Sequence, residues 1–340
     1  MSEGRDARGR MRWLVGAAAL GAAGAASAAW VVQHRRVRRA LDAAESGAAA
    51  EGLVLPSDLV HHEVVTDDGA RLHVVERGRG PAIVLLHGLL LSSDLWVHQL
   101  DDLAGRHRII ALDQRGHGRS TTGDRAIGVE TLADDVRCVL AALEVRQCLL
   151  VGHSMGGMVA LQVAHDMPPD ERHQLLSGVA VVSSAAGPFF TVPGSTHVAK
   201  VGLPAWSQLL LAAERIGVWA LPAEDLRWWL TRLSFGPEPN PAQVRFVEQL
   251  HHTVAASTLA QLLPSVATFD LSAEVADIDV PVLVVVGSKD RLTPPRHARA
   301  LASALPRAEL VELPRAGHTP MLERRREFSR LLEEFCAKVG

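Results

Sequence analysis

The heptapeptide Val151-Gly-His-Ser-Met-Gly-Gly157 constrains this chain more than any other stretch. It follows the run Gln147-Cys-Leu-Leu150 and opens into the helix-forming segment Met158 to Asp166. A strand that ends in Gly-x-Ser-x-Gly and turns straight into a helix is a nucleophile elbow. The turn is sharp, so the serine backbone is strained and its neighbours must be small. Gly152 and Gly156 supply that room, and Ser154 is left projecting from the top of a sheet. A serine held there suits attack on a carbonyl carbon.

Such an attack needs three supporting groups, and the chain offers each at another strand end. A histidine must take the serine proton. His318 lies in Leu313-Pro-Arg-Ala-Gly-His-Thr-Pro320, after a strand-like run and before a helical segment over Leu322 to Lys338. A carboxylate must orient the imidazole, and Asp290 closes the apolar run Val282-Leu-Val-Val-Val-Gly-Ser-Lys-Asp. An oxyanion site must exist, and Ala82-Ile-Val-Leu-Leu-His87-Gly88 can present the Leu89 amide beside that of Met155. Each feature alone has a plainer reading, since the chain holds 16 histidines. His61-His62 and His251-His252 read as surface residues, and no spacing argues for a metal site. Three supporting groups at three strand ends, in the order Ser…Asp…His, outweigh that reading.

The body alternates strands and helices. Glu63–Val65 and Leu72–Val75, joined by Asp67-Asp68-Gly69, predict an antiparallel hairpin. Ile83–Leu86, Ile109–Leu112, Cys148–Val151, Val179–Ser183, Val282–Val286 and Leu310–Leu313 predict buried parallel strands. Thr131–Leu143, apolar at Leu132, Val136, Val139, Leu140 and Leu143, predicts an amphipathic helix. The class is α/β, a mostly parallel, doubly wound, eight-stranded sheet.

With these motifs placed, the chain from Val60 to Cys336 resembles the α/β-hydrolase family. Besides the elbow, the likeness rests on His87-Gly88 followed by Ser92, Ser93 and Trp96, and on Asp113-Gln-Arg-Gly-His-Gly-Arg-Ser120. Gly287-Ser-Lys-Asp290 with Pro294, and Gly317-His318-Thr-Pro320, match the acid and base loops. The resemblance implies Ser154 as nucleophile, Asp290 as acid and His318 as base, with no cofactor and no metal. It implies a carboxylic ester or lactone hydrolase working through an acyl-serine. A cofactor-free haloperoxidase or perhydrolase on the same triad is the alternative, and a non-catalytic binding protein of the same fold is a further one. A serine at the elbow disfavours dehalogenase and epoxide hydrolase chemistry, which in this family use an aspartate there. Arg115 and the glycines of Asp113–Ser120 read as a structural brace under the site.

The alternation of strands and helices breaks at 187–270, a proline-punctuated, helix-like stretch holding Trp206, Trp219, Trp228 and Trp229. The family carries its cap in this place, so 187–270 is expected to be a helical lid, with 60–186 and 271–340 forming the core. At the other end, Trp13 to Val32 is free of formal charge and long enough as a helix to cross a bilayer. Residues 1–40 are therefore expected to be a basic-flanked transmembrane or signal segment, and 41–59 a linker. A single-pass anchor is the expectation taken, which makes membrane lipid a partner. Cleavage after Ala26-Ser27-Ala28, giving a secreted protein, and an alanine-rich soluble helix are the rival readings. Arginine counts at the two ends are equal, so the membrane side is open. Against an overall net charge of −3, residues 1–40 carry +6 (eight arginines against Glu3 and Asp6), which leaves −9 on residues 41–340. An acidic body without a basic stripe argues against nucleic acid. The expected partner is instead a small ester with an apolar acyl group.

Overall fold

Burial on both faces turns the short apolar runs of this chain into parallel strands. In the computed structural model, which describes residues 53–188, 228, 231–251 and 254–340, eight strands form one sheet. They are β1 (Val60–Val65), β2 (Arg71–Arg77), β3 (Ala82–Leu86), β4 (Arg108–Leu112), β5 (Cys148–His153), β6 (Leu176–Val182), β7 (Val282–Gly287) and β8 (Ala308–Leu313). Their order is β1-β2-β4-β3-β5-β6-β7-β8; β1 pairs with β2, and β2 with β4, antiparallel, and every other pairing is parallel. All eight predicted strands are present.

Helices cover both faces. Among the described residues they are α1 (Val97–Asp102), α2 (Val129–Ala142), α3 (Met155–Asp166), α4 (Pro169–Leu175), α5 (Pro241–Leu250), α6 (Ala256–Thr268), α7 (Pro295–Ala304), α8 (Pro320–Glu323) and α9 (Arg325–Val339). Successive strand residues point to opposite faces. Val84, Leu86 and Leu150 therefore join Leu132 and Val136 of α2, Met158 of α3 and Leu301 of α7 in one core. Ile83, Leu85 and Val151 join Leu100 of α1 and Phe328 and Leu332 of α9 in the other. Trp96 stacks on Phe328 there, with ring centroids 6.3 Å apart. Trp228 is buried in this second core; Trp206, Trp219 and Trp229 lie outside the described residues.

One predicted helix is two. The segment expected to be helical over Leu322 to Lys338 breaks at Arg324, whose φ of −128° and ψ of 43° are not helical. The Arg324 guanidinium donates to the Pro314 carbonyl at 2.8 and 3.0 Å, so the break is fixed by a contact with the loop that precedes it. The expected N-terminal membrane helix lies outside the described residues, and no described helix is long and apolar enough to cross a membrane.

Strand order is what gathers the site. The chain leaves β3 for β4 on one side and returns to β5 on the other, a switch point at which the loops after the strands part and leave a crevice. The register pairs Leu86 with Gly152, so Gly88 and Ser154 emerge side by side. Gly287 pairs with Leu313, which brings the loops of Asp290 and His318 together.

Candidate active site

Ser154 sits between β5 and α3 with φ 53° and ψ −118°, a left-handed backbone that a serine adopts only under constraint. The surroundings supply it. The Ser154 amide donates to Val182 O at 2.9 Å, and Ser184 Oγ donates to Ser154 O at 2.7 Å. A Cβ at Gly152 would stand 2.1 Å from Gly156 O, and one at Gly156 would stand 2.4 Å from Leu86 O. Both elbow glycines are therefore required by close backbone approach, as their spacing predicts.

The loops that carry Asp290 and His318 meet. His318 Nδ1 lies 2.9 Å from Asp290 Oδ2, and both residues are buried. Asp290 is further held by Thr293: its hydroxyl donates to Oδ2 at 2.7 Å and its amide to Oδ1 at 2.9 Å. The Leu292 amide also donates to Oδ1, at 2.9 Å. Burial pushes the Asp290 carboxyl up, but the His318 charge and these hydrogen bonds outweigh it and hold the pKa below the ordinary value.

His87 and Gly88 fix the other side of the crevice. The Gln114 amide donates to His87 Nε2 at 3.0 Å, so the ring proton is on Nδ1, which donates to Gly88 O at 2.8 Å. Gln114 Nε2 donates to His87 O at 2.6 Å. This pins the backbone entering Leu89. Burial lowers the pKa of His87, and that of His153 to about 3. His153 stays neutral beneath the site, 2.8 Å through Nε2 from His318 O, with its ring centroid 4.8 Å from that of His318.

Ser154, His318, Leu89, Met155 and Gly88 all line one cavity of about 440 Å³. Leu90, Val247, Leu263, Val266 and Leu292 make its wall largely apolar. Two titratable lining residues went unrecognised in the sequence. His251, read as a surface histidine, is half-buried on this wall, and Glu248 of α5 is buried beside it with Oε2 2.7 Å from Arg245 Nη1. The reading of His251 is corrected because α5 turns its carboxyl end toward the crevice, which no local pattern announces.

Two further residues were missed. Glu323 accepts from the Gly317 amide at 2.8 Å and the Gly236 amide at 2.7 Å, and His318 N donates to Ser234 O at 2.6 Å. Segment 234–236 and the base loop are thus one hydrogen-bonded unit. Thr293 had a signal in hindsight, an aspartate followed three residues later by threonine, the spacing of a side-chain-closed turn. Glu323 had none.

A residue expected to be structural is so. Arg115 is buried, its Nε 2.8 Å and Nη2 2.6 Å from the Asp135 carboxylate, and its Nη2 2.9 Å from Asp68 Oδ1. It ties the loop after β4 to the β1–β2 turn and to α2.

A serine at a strand end, a histidine–aspartate pair and a largely apolar crevice thus lie together at a switch point, and comparison with known proteins gives the family. Residues 81–325 match the family described as alpha/beta hydrolase fold, and the chain belongs to it. It is 28% identical to the AB hydrolase superfamily protein YisY of Bacillus subtilis, over 81% of this chain and 98% of that one. It is 31% identical to a pimeloyl-(acyl-carrier protein) methyl ester esterase of Nitrosomonas europaea, over 74% of this chain and 94% of that protein. Among solved structures, an esterase from Exiguobacterium antarcticum superposes with a TM-score of 0.70 at 21% identity, covering 82% of this chain and all of that one. A bromoperoxidase from Bacillus anthracis superposes with a TM-score of 0.68 at 17% identity, over 81% and 99%. These two likenesses are of fold.

Proposed function

We propose that the protein is a serine hydrolase of carboxylic esters or lactones. The observation that carries this reading is the 2.9 Å contact of His318 Nδ1 with Asp290, in a cavity that also holds the strained Ser154. Ser154 Oγ attacks the ester carbonyl carbon while His318 Nε2 takes its proton, and Asp290 holds the imidazolium that results. The Leu89 and Met155 amides donate to the oxyanion. The alkoxide leaves with the proton returned by His318, and a water activated by the same nitrogen then cleaves the acyl-serine. No cofactor or metal enters these steps. Within this reading 187–270 is the lid, supported by the contribution of α5 and α6 to the cavity wall through Val247, Leu263 and Val266. The apolar wall favours an apolar acyl group. Residues 1–40 anchor the chain to a membrane, with 41–59 as the linker; the basis is the charge-free length from Trp13 to Val32.

A p-nitrophenyl ester series from acetate to palmitate, run on the full chain and on Ser154→Ala, tests the reading. The variant is expected to lose at least about 10⁴-fold in kcat, as removal of a triad nucleophile does. Wild-type turnover by the variant refutes the assignment. Halide oxidation dependent on peroxide and a carboxylic acid, with no ester turnover, would assign the perhydrolase chemistry instead.

A further inference from the structure

The lip of the cavity carries a charge pattern that the hydrolytic steps do not use. Leu292 lines the cavity and is 49% exposed, so it stands at the opening. Lys289, Arg291 and Arg296 are exposed around it in sequence, and none has an ion-pair partner among the described residues. The one carboxylate of that loop, Asp290, is buried against His318. Leu233, next in sequence to the cavity-lining Ser234, is 39% exposed, and its neighbour Arg232 lies close enough to Arg291 for the two charges to repel.

Arg296 stands in the first turn of α7, where no acidic residue offsets it and where the helix already presents its positive end. Like charges gathered without counter-ions are a standing cost to the folded state. They also sit on a body whose residues 41–340 sum to −9.

We propose that this lip seats the cavity mouth on an anionic lipid bilayer, with Leu292 and Leu233 entering the interface and Lys289, Arg291 and Arg296 pairing with headgroup phosphates. An exposed leucine flanked in sequence by exposed cations matches such a surface, because the apolar side chain gains by leaving water while the charges stay among the phosphates. A body of opposite sign is repelled by the same bilayer, which leaves mouth-down as the favoured orientation. The proposal deepens the ester-hydrolase reading and rests on it for the identity of the substrate: an acyl ester held in the bilayer would reach Ser154 without crossing water.

The test uses the full chain with Leu292→Cys, in a Cys138→Ala background, labelled with bimane. The labelled protein is mixed with vesicles of phosphatidylcholine, with and without phosphatidylglycerol, carrying a doxyl lipid as quencher. The expected result is quenching on the anionic vesicles at low salt, relieved by high salt. Adding Lys289→Gln, Arg291→Gln and Arg296→Gln is expected to weaken it at least about tenfold, given the attraction of each basic residue to an anionic surface. Hydrolysis of a short water-soluble ester by the triple variant, without the label, is the control for folding and is expected to be unchanged. A label that stays in water on both vesicles, or quenching that the triple variant retains in full, overturns the proposal. Quenching without any ester turnover by the wild type supports the docking and counts against the hydrolase reading alone.

Discussion

Arg115 and His318 are both buried against an aspartate, and they differ in what their surroundings leave over. Arg115 has its guanidinium shared between two carboxylates, Asp135 and Asp68, the first on α2 and the second in the β1–β2 turn. The Asp135 and Asp68 hydrogen bonds raise its already high pKa further, and Asp68, bonded to Arg115, falls well below the ordinary carboxylate range. Every charge in that cluster is committed, and the cluster lies away from the cavity. At the other cluster Asp290 is as well saturated, by His318, Thr293 and the Leu292 amide. His318 is not: only Nδ1 is used on the aspartate, and the ring stands on the cavity wall beside Ser154. A brace and the pair to which we assign catalysis are thus built from the same materials. What separates them is one uncommitted nitrogen at the edge of a crevice.

The comparison can be broken most severely at Asp290. Asp290→Asn keeps the shape but no longer fixes the imidazole proton on Nδ1, and kcat for the best ester is expected to fall by about 10⁴-fold with little change in Tm. A loss of Tm without loss of kcat in the folded fraction would make Asp290 a brace like Asp135. Arg115→Met should do the converse. It leaves Asp68 and Asp135 buried without their partner, and urea denaturation should show a loss of about 3–5 kcal/mol. Turnover per folded molecule should stay within a fewfold, and its disappearance would show that the brace also places the site.

The pH dependence of stability sharpens the contrast, because a third set of buried groups carries no charge. Burial holds His117 and His153 at about 3, well below the 6.5 of a free histidine. Between those values the unfolded chain takes up protons that the folded chain refuses, so stability falls as pH falls. Each histidine contributes about 1.4 kcal/mol per pH unit across that window. Urea titrations at several pH values should show this slope, and His117→Phe should remove one proton's worth of it. An unchanged slope would place the proton uptake elsewhere. The smallest effect belongs to Thr293→Val, which removes one donor to Asp290 Oδ2. The expected loss is about 1.5–3 kcal/mol in kcat/KM, the worth of a hydrogen bond to a charged group. No effect would mean that the two backbone amides suffice to hold the carboxylate.

Much of this was legible along the chain. Short apolar runs bounded by turn residues specify strands locally, and all eight appear where the pattern puts them. The glycines at 152 and 156 mark the elbow by their spacing, although the atom that forbids a side chain at Gly156 belongs to the distant Leu86. Arg324 shows the limit: helical propensity runs through it, and a hydrogen bond to Pro314 O stops the helix. His251 and Glu323 show it again. A histidine doublet and a glutamate in a charged helical stretch carry no sign of their roles, because those roles come from segments remote in sequence, such as Gly236, 87 residues from Glu323.

By itself, then, the sequence determined the strands, the serine turn and the three loops able to flank it, since each is written in local pattern and turn chemistry. Only the tertiary structure decided that those loops share one crevice. It decided which histidines burial keeps neutral, that Glu323 ties the loop of His318, and that the exposed Leu292 lines the cavity. Those are properties of strand order and burial, and both are fixed by contacts between residues far apart along the chain.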